Sequence, residues 1–224
     1  LICFSYAAGL ACICNLLFGW PKLHVASVTA MVGVLHLIEA GLIWATGGHG
    51  AIPVLISGPD GRPAGGFLME RFWPVPAAIG LMLYYPLSAA LPEVLAMPDW
   101  WPLIKSAASA PEGMQPVYAL VGLTAALGYS DLTYTRLPHQ KARVTAAMSG
   151  CFSLVLLGLS VLSSTRGWAR WLAALFSPIG HELMVHLSRV TETRRQPVFQ
   201  TSGRGVMVLD VVRGSPAWQA GIER

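Results

Sequence analysis

Apolar positions in this chain come in long blocks, separated by short polar breaks, and only locally follow a helical or strand period. A membrane-crossing helix needs about 20 mostly apolar residues, and six blocks approach that length. The first covers residues 1–20 and stops at the turn Pro21-Lys22-Leu23-His24. The second, 25–46, carries His36 and Glu39. The third, 75–97, holds Pro86 as a kink, and the fourth, 117–132, closes on Gly128-Tyr129-Ser130-Asp131. The fifth is 144–163. The sixth, 168–187, is interrupted by Pro178-Ile179-Gly180, which predicts a tilted or broken helix. The pattern predicts an all-α polytopic membrane bundle of about six transmembrane helices over residues 1–190, the first truncated and the sixth broken.

Two connections read differently. Around residues 47–74 the run AIPVLIS, the turn Gly58-Pro59-Asp60-Gly61 and a second apolar run predict a hairpin. The connection 98–116 holds Asp99-Trp100-Trp101, and tryptophans there suit the membrane–water interface. Beyond Gln196 the pattern changes again. Residues 206–212 predict a strand-rich run, followed by a short helix capped by Ser215, started by Pro216 and stopped by Gly221. Leu1 lies inside an apolar run and Arg224 inside this last segment, so the chain is expected to be an internal fragment.

Composition agrees with a membrane protein: 54% of residues are hydrophobic and 12% charged, against about 25% charged in soluble domains. The net charge of +4 is modest, and nothing resembles a nucleic-acid-binding stripe. Its placement changes the picture more than its size. With six spans, eight basic residues share one side: Arg62, Arg71, Arg136, Lys141, Arg143, Arg189, Arg194 and Arg195. Lys22, Lys105, Arg166 and Arg170 fall on the other. The excess predicts that the hairpin and the C-terminal segment face the cytoplasm. Cys3, Cys12, Cys14 and Cys151 all sit in apolar runs, and Cys12-x-Cys14 has neither metal-knuckle nor redox spacing.

The stretch Gly205-Val206-Met207-Val208, followed by Leu-Asp-Val-Val-Arg-Gly-Ser-Pro-Ala and Ala220-Gly221-Ile222, resembles the first half of a bacterial PDZ domain. The resemblance implies an incomplete β-rich PDZ domain over 197–224. In it, Gly205, Val206, Met207 and Val208 would receive a partner's C-terminal carboxylate and pair with its strand. The chain as a whole resembles a group of Gram-positive multi-pass membrane proteins that end in a PDZ domain, one of which determines where the cell divides. The residues behind this are Leu23-His24-Val25-Ala26-Ser27, His36-Leu-Ile-Glu39, Pro59-Asp60-Gly61 with Arg71-Phe-Trp-Pro74, Leu127-Gly-Tyr-Ser-Asp131 and Phe176-Ser-Pro-Ile-Gly-His-Glu182. It implies an adaptor of the bacterial cell membrane, with the bilayer and cytoplasmic or membrane proteins as partners, no nucleic acid and no cofactor.

The sharpest chemical motif is Gly180-His181-Glu182-Leu-Met-Val-His186. A zinc protease helix needs histidines four apart, so that both imidazoles leave one face. Five apart, they diverge by roughly 140° at ~100° per residue. We therefore expect no catalytic zinc and no nucleophile. Instead His36, Glu39, His181, Glu182 and His186 are expected to form an intramembrane polar cluster, since ionisable residues at membrane depth face inward and pair. Its role stays open between a packing network, a proton, metal-ion or ligand site, and a placement in which Glu182 and His186 meet water at the membrane surface. Two other functions remain as alternatives: an intramembrane metalloprotease of the site-2 type with a PDZ substrate filter, and a small-solute or ion transporter.

Overall fold

The computed structural model describes residues 3–58, 61–90, 95, 97–98, 100–104, 110–200 and 208–222. Its elements run α1 (Phe4–Phe18), α2 (Val25–Thr46), β1 (Ile52–Ser57), β2 (Pro63–Pro86), β3 (Met114–Thr133), α3 (Pro138–Thr165), α4 (Gly167–Thr193), β4 (Phe199–Gln200) and α5 (Pro216–Gln219).

The six-span all-α bundle is therefore incorrect. Among the described residues only α2 and α3 are long and apolar enough to cross a membrane. Residues 75–86 of the third block and the whole of the fourth are instead extended, in β2 and β3 of a four-stranded antiparallel sheet. The physical reason lies in the backbone. Pro74, Pro76 and Pro86 each remove an N–H donor, a loss that disrupts a helix interior but is tolerated at strand ends and unpaired positions. Pairing across the sheet satisfies the remaining groups, and the half-buried and exposed positions alternate along residues 71–80 of β2, as a strand requires. Without six spans, the basic residues no longer sort onto two sides of a membrane by the count given above.

The hairpin reading holds. β1 pairs antiparallel with β2, Ile52 opposite Leu68 through Ser57 opposite Pro63. The turn is closed by Gly58 N–H donating to the Arg62 carbonyl at 2.8 Å, and Gly61 takes φ +74°, which favours glycine. The other edge of β2 pairs with β4, Ala64 opposite Gln200.

The chain divides into two compact units, with the divisions falling inside α2, β2, β3, α3 and α4. The first unit comprises residues 1–34, 73–127 and 154–179. Cys12, Val25 and Ala174 form its small apolar centre, with Ile13, Leu16 and Val28 packed around them. Hydroxyls join its helices: Ser5 Oγ donates to the Ser177 carbonyl at 2.7 Å, and Ser160 Oγ to Thr29 Oγ1 at 2.8 Å. α4 continues through Pro178 without the expected break. Gly9 makes room for that proline, since a Cβ there would lie 2.5 Å from Pro178 Cδ. Trp101 meets Tyr118 edge to face, ring centroids 5.3 Å apart, while Trp100 is exposed.

The second unit comprises residues 35–72, 128–153 and 180–224. Among the described residues, Phe67 and Met69 are its largest fully buried apolar side chains. At its C-terminal end Ser215 caps α5 by accepting from Trp218 N–H at 3.2 Å, with Pro216 in the first turn, as expected. The strand expected over 206–212 does not form at 208–212, which are irregular. Residues 206–207 lie outside the described residues, as does Gly205; Val208 is half-buried and belongs to no strand.

Candidate functional site

Two charged groupings lie in the second unit, and both are built where helix faces converge on the end of β3. The first is closed. Glu192, in the last turn of α4, receives three donors on one oxygen: Thr133 Oγ1 at 2.9 Å, and the backbone N–H groups of Tyr134 and Thr135 at 2.8 Å each. Its other oxygen faces Lys141 Nζ at 3.4 Å. Lys141, in the first turn of α3, is only 2% exposed and also reaches Ser188 Oγ at 2.9 Å and Asp131 Oδ2 at 3.5 Å. Asp131 accepts further bonds from Thr145 Oγ1 at 3.1 Å, Tyr129 Oη at 3.3 Å and Leu132 N–H at 2.9 Å.

The electrostatics follow from that geometry. Burial pushes the Glu192 carboxyl up, but the N–H groups of Thr135 and Tyr134, the Lys141 ammonium and the Thr133 hydroxyl together hold it below the usual carboxylate range. Burial, with Asp131 alongside, pushes the Tyr129 phenol up. Burying an ammonium this deeply is costly unless it is paired and hydrogen-bonded, and here two carboxylates and a hydroxyl surround it. The grouping saturates itself and ties the end of β3 to α3 and α4.

The second grouping is open. A cavity of about 480 Å³ is lined by polar side chains, Glu39, Tyr129, Asp131, Thr145, Ser149, His181, Ser188 and Arg189, and by apolar ones including Ile43, Met148, Met184 and Val185. His181 and Ser188 share one face of α4, two turns apart. Glu39 enters from α2, one turn beyond His36. The His36 and His181 rings meet edge to face at 5.5 Å, and Phe152 packs on both, at 5.4 and 5.9 Å. A smaller cavity of about 290 Å³ lies beside the His49–His139 ring pair, whose centroids are 5.1 Å apart.

The predicted polar cluster is thus brought together only in part. His36, Glu39 and His181 converge. Glu182 and His186 are exposed on another face of α4; being four residues apart they sit about 40° from one another, and His186 is turned well away from His181. The geometry that a zinc protease helix needs is not formed. Of the peptide-binding residues, only Val208 falls among those described. Sequence reasoning missed Lys141 and Glu192. Lys141 counted as a loop cation, although Lys141, Thr145 and Ser149 fall on one helical face of α3. Glu192 lies past the apolar block, yet stands four residues from Ser188, on the face that carries the motif's first histidine.

Comparison with family models, curated proteins and solved structures found no match for this chain.

Proposed function

We propose that this chain is a membrane-held adaptor, in which lipid-facing helices anchor a C-terminal segment that recruits partner proteins. One observation supports the anchoring above all: the helices are inside out by the standards of a soluble protein. The buried face of α3 carries Ala142, Ala146, Ser149, Ser153, Leu156, Ser160 and Ser163, spaced alternately four and three apart, with Lys141 and Phe152 buried beside them. Its exposed residues include Leu154, Val155, Val161 and Leu162, with Leu154 62% exposed and Ser160 at 0%.

α1 and α4 repeat the arrangement. α1 buries Ser5, Ala8, Gly9 and Cys12 and exposes Phe4, Leu10 and Leu17. α4 buries Ala169, Ala173, Ala174 and Ser177 and exposes Trp168, Trp171, Leu172, Leu175 and Ile179. α2 follows it only in part: it buries Val25, Ala26, Val32, Ala40 and Ile43 along with Thr29 and His36, and exposes Leu37, Ile38 and Trp44. Only 39% and 33% of the most apolar windows of α2 and α3 are buried within the protein.

A soluble helix turns its large apolar residues toward the core. A bilayer removes that driving force, so membrane helices associate through small residues and hydroxyl hydrogen bonds and leave large apolar side chains to lipid. Bonds such as Ser160 to Thr29, and Ser5 to Ser177, are of that kind.

The recruiting half of the proposal rests on the Gly205–Ile222 sequence pattern that resembles a PDZ domain, and on the capped α5 within it. Peptide tails or exposed strands are the partner chemistry such a segment takes. Placement of the division site is the process the resemblance suggests.

Proximity labelling in the native host tests both halves, comparing the full-length protein with one ending at Gln196, and alkaline carbonate extraction accompanies it. We expect both forms to stay with the membrane and the truncated form to lose a defined set of labelled proteins. Release of the full-length protein by carbonate would contradict the anchor. An unchanged set of labelled proteins would contradict the recruiting role of the C-terminal segment.

A further inference from the structure

Among the described residues, Glu39 is the one carboxylate of the 480 Å³ cavity without compensation. It is partly buried, on α2, and forms no hydrogen bond or ion pair with any described residue. Asp131, the other carboxylate of the cavity, is already answered by Lys141, Tyr129, Thr145 and the Leu132 N–H. A partly buried carboxylate that no hydrogen bond or cation answers costs stability. Proteins keep such costs where a ligand or reaction uses them.

The rest of the lining specifies what that ligand must carry. Ile43, Met148, Met184 and Val185 give the cavity apolar walls, and two of them are methionines, whose unbranched side chains adapt to differing shapes. A bare inorganic cation would leave most of the 480 Å³ unfilled and would find one free carboxylate where such ions take several oxygen ligands. The volume lies instead in the range of small organic ligands. Arg189 also lines the cavity but is exposed, so solvent screens its charge.

We propose that this cavity binds a small organic amine, its ammonium set against Glu39 and its apolar body against Ile43, Met148, Met184 and Val185. Tyr129, Thr145, Ser149 and Ser188 stand around the same space and offer hydroxyls to the ammonium or to substituents on it. This site is independent of the recruiting role of the C-terminal segment.

The test uses the full chain, purified in detergent, with n-pentylammonium chloride as probe. Sodium pentanoate and sodium chloride at equal ionic strength are the controls, and the unfolding temperature is the readout. The amine is expected to raise it saturably, with neither control doing so. Glu39→Gln should weaken the apparent affinity at least tenfold, whereas Glu182→Gln, exposed on another face of α4, should leave it unchanged. Val185→Phe, which puts a larger side chain into the cavity wall and leaves the Glu39 carboxylate in place, should also abolish the shift; circular dichroism confirms that each variant is folded. Equal shifts from pentanoate or sodium chloride would overturn the proposal. So would an amine response that survives in both Glu39→Gln and Val185→Phe.

Discussion

The two charged groupings of the second unit contain the same kinds of side chain and differ in completeness. Around Lys141, two carboxylates and a serine hydroxyl surround one ammonium, and Glu192 is further fixed by two backbone N–H groups. Around Glu39, a carboxylate faces open volume with no described partner. A buried charge that its neighbours satisfy serves the fold, because removing any member strands the others. A buried charge that they leave unsatisfied serves something outside the fold. The sign of a substitution's effect separates the two cases.

The largest effect is expected at Lys141. Lys141→Met leaves Asp131 and Glu192 without their shared cation, and breaking a buried pair in this way costs about 3–5 kcal/mol. Chemical denaturation of the purified protein measures it. Glu192→Gln comes next: it keeps the shape but trades charge-assisted bonds for neutral ones, for a loss of about 1.5–3 kcal/mol.

Glu192 also predicts a pH dependence. Its folded-state value is depressed, so its contribution is fully present above the unfolded glutamate value of about 4.3. It is lost as pH falls from there through the folded value. Melting temperatures should therefore decline below that point in the parent protein, and decline less in Glu192→Gln.

At Glu39 the sign reverses. Glu39→Gln removes an uncompensated charge and is expected to raise stability by up to ~1 kcal/mol in the absence of ligand. A loss of stability there would mean that Glu39 has a structural partner, and the contrast between the groupings would fail. The smallest effect belongs to Ser160→Ala, which deletes one hydroxyl bond between helices at a cost of about 0.6 kcal/mol.

Where the sequence pattern was unambiguous the elements were legible, with α2 spanning the expected 25–46, the β1–β2 hairpin closing on Gly61, and Ser215 capping α5. These depend on local chemistry: a polar break, a positive φ, a side-chain cap. β2 and β3 were misread because an apolar block of about 20 residues meets the length test for a spanning helix whichever period it carries. Pro76 and Pro86 were the signal against it in β2, whereas the block that became β3 holds no proline. The Lys141 grouping was illegible for a different reason. Its members Asp131, Lys141, Ser188 and Glu192 are brought together by tertiary packing over some 60 positions, and no spacing rule joins a strand end to two separate helices. His36, Glu39 and His181 were found because ionisable residues inside apolar blocks are conspicuous. That Glu182 and His186 turn away follows from helical periodicity alone, since each lies about 100–140° from His181.

Lipid contact along α3 is the claim on which the anchoring account stands, and spin labels test it most directly. Single cysteines replacing Leu154, Leu162 and, for contrast, Glu182 would be labelled in protein reconstituted into nanodiscs, with the native Cys3, Cys12, Cys14 and Cys151 replaced by serine. Collision rates with oxygen, which concentrates in lipid, would be compared with those of a water-soluble nickel chelate. The account predicts high oxygen and low nickel accessibility at 154 and 162. High nickel accessibility at both positions would place the apolar face of α3 in water and contradict it.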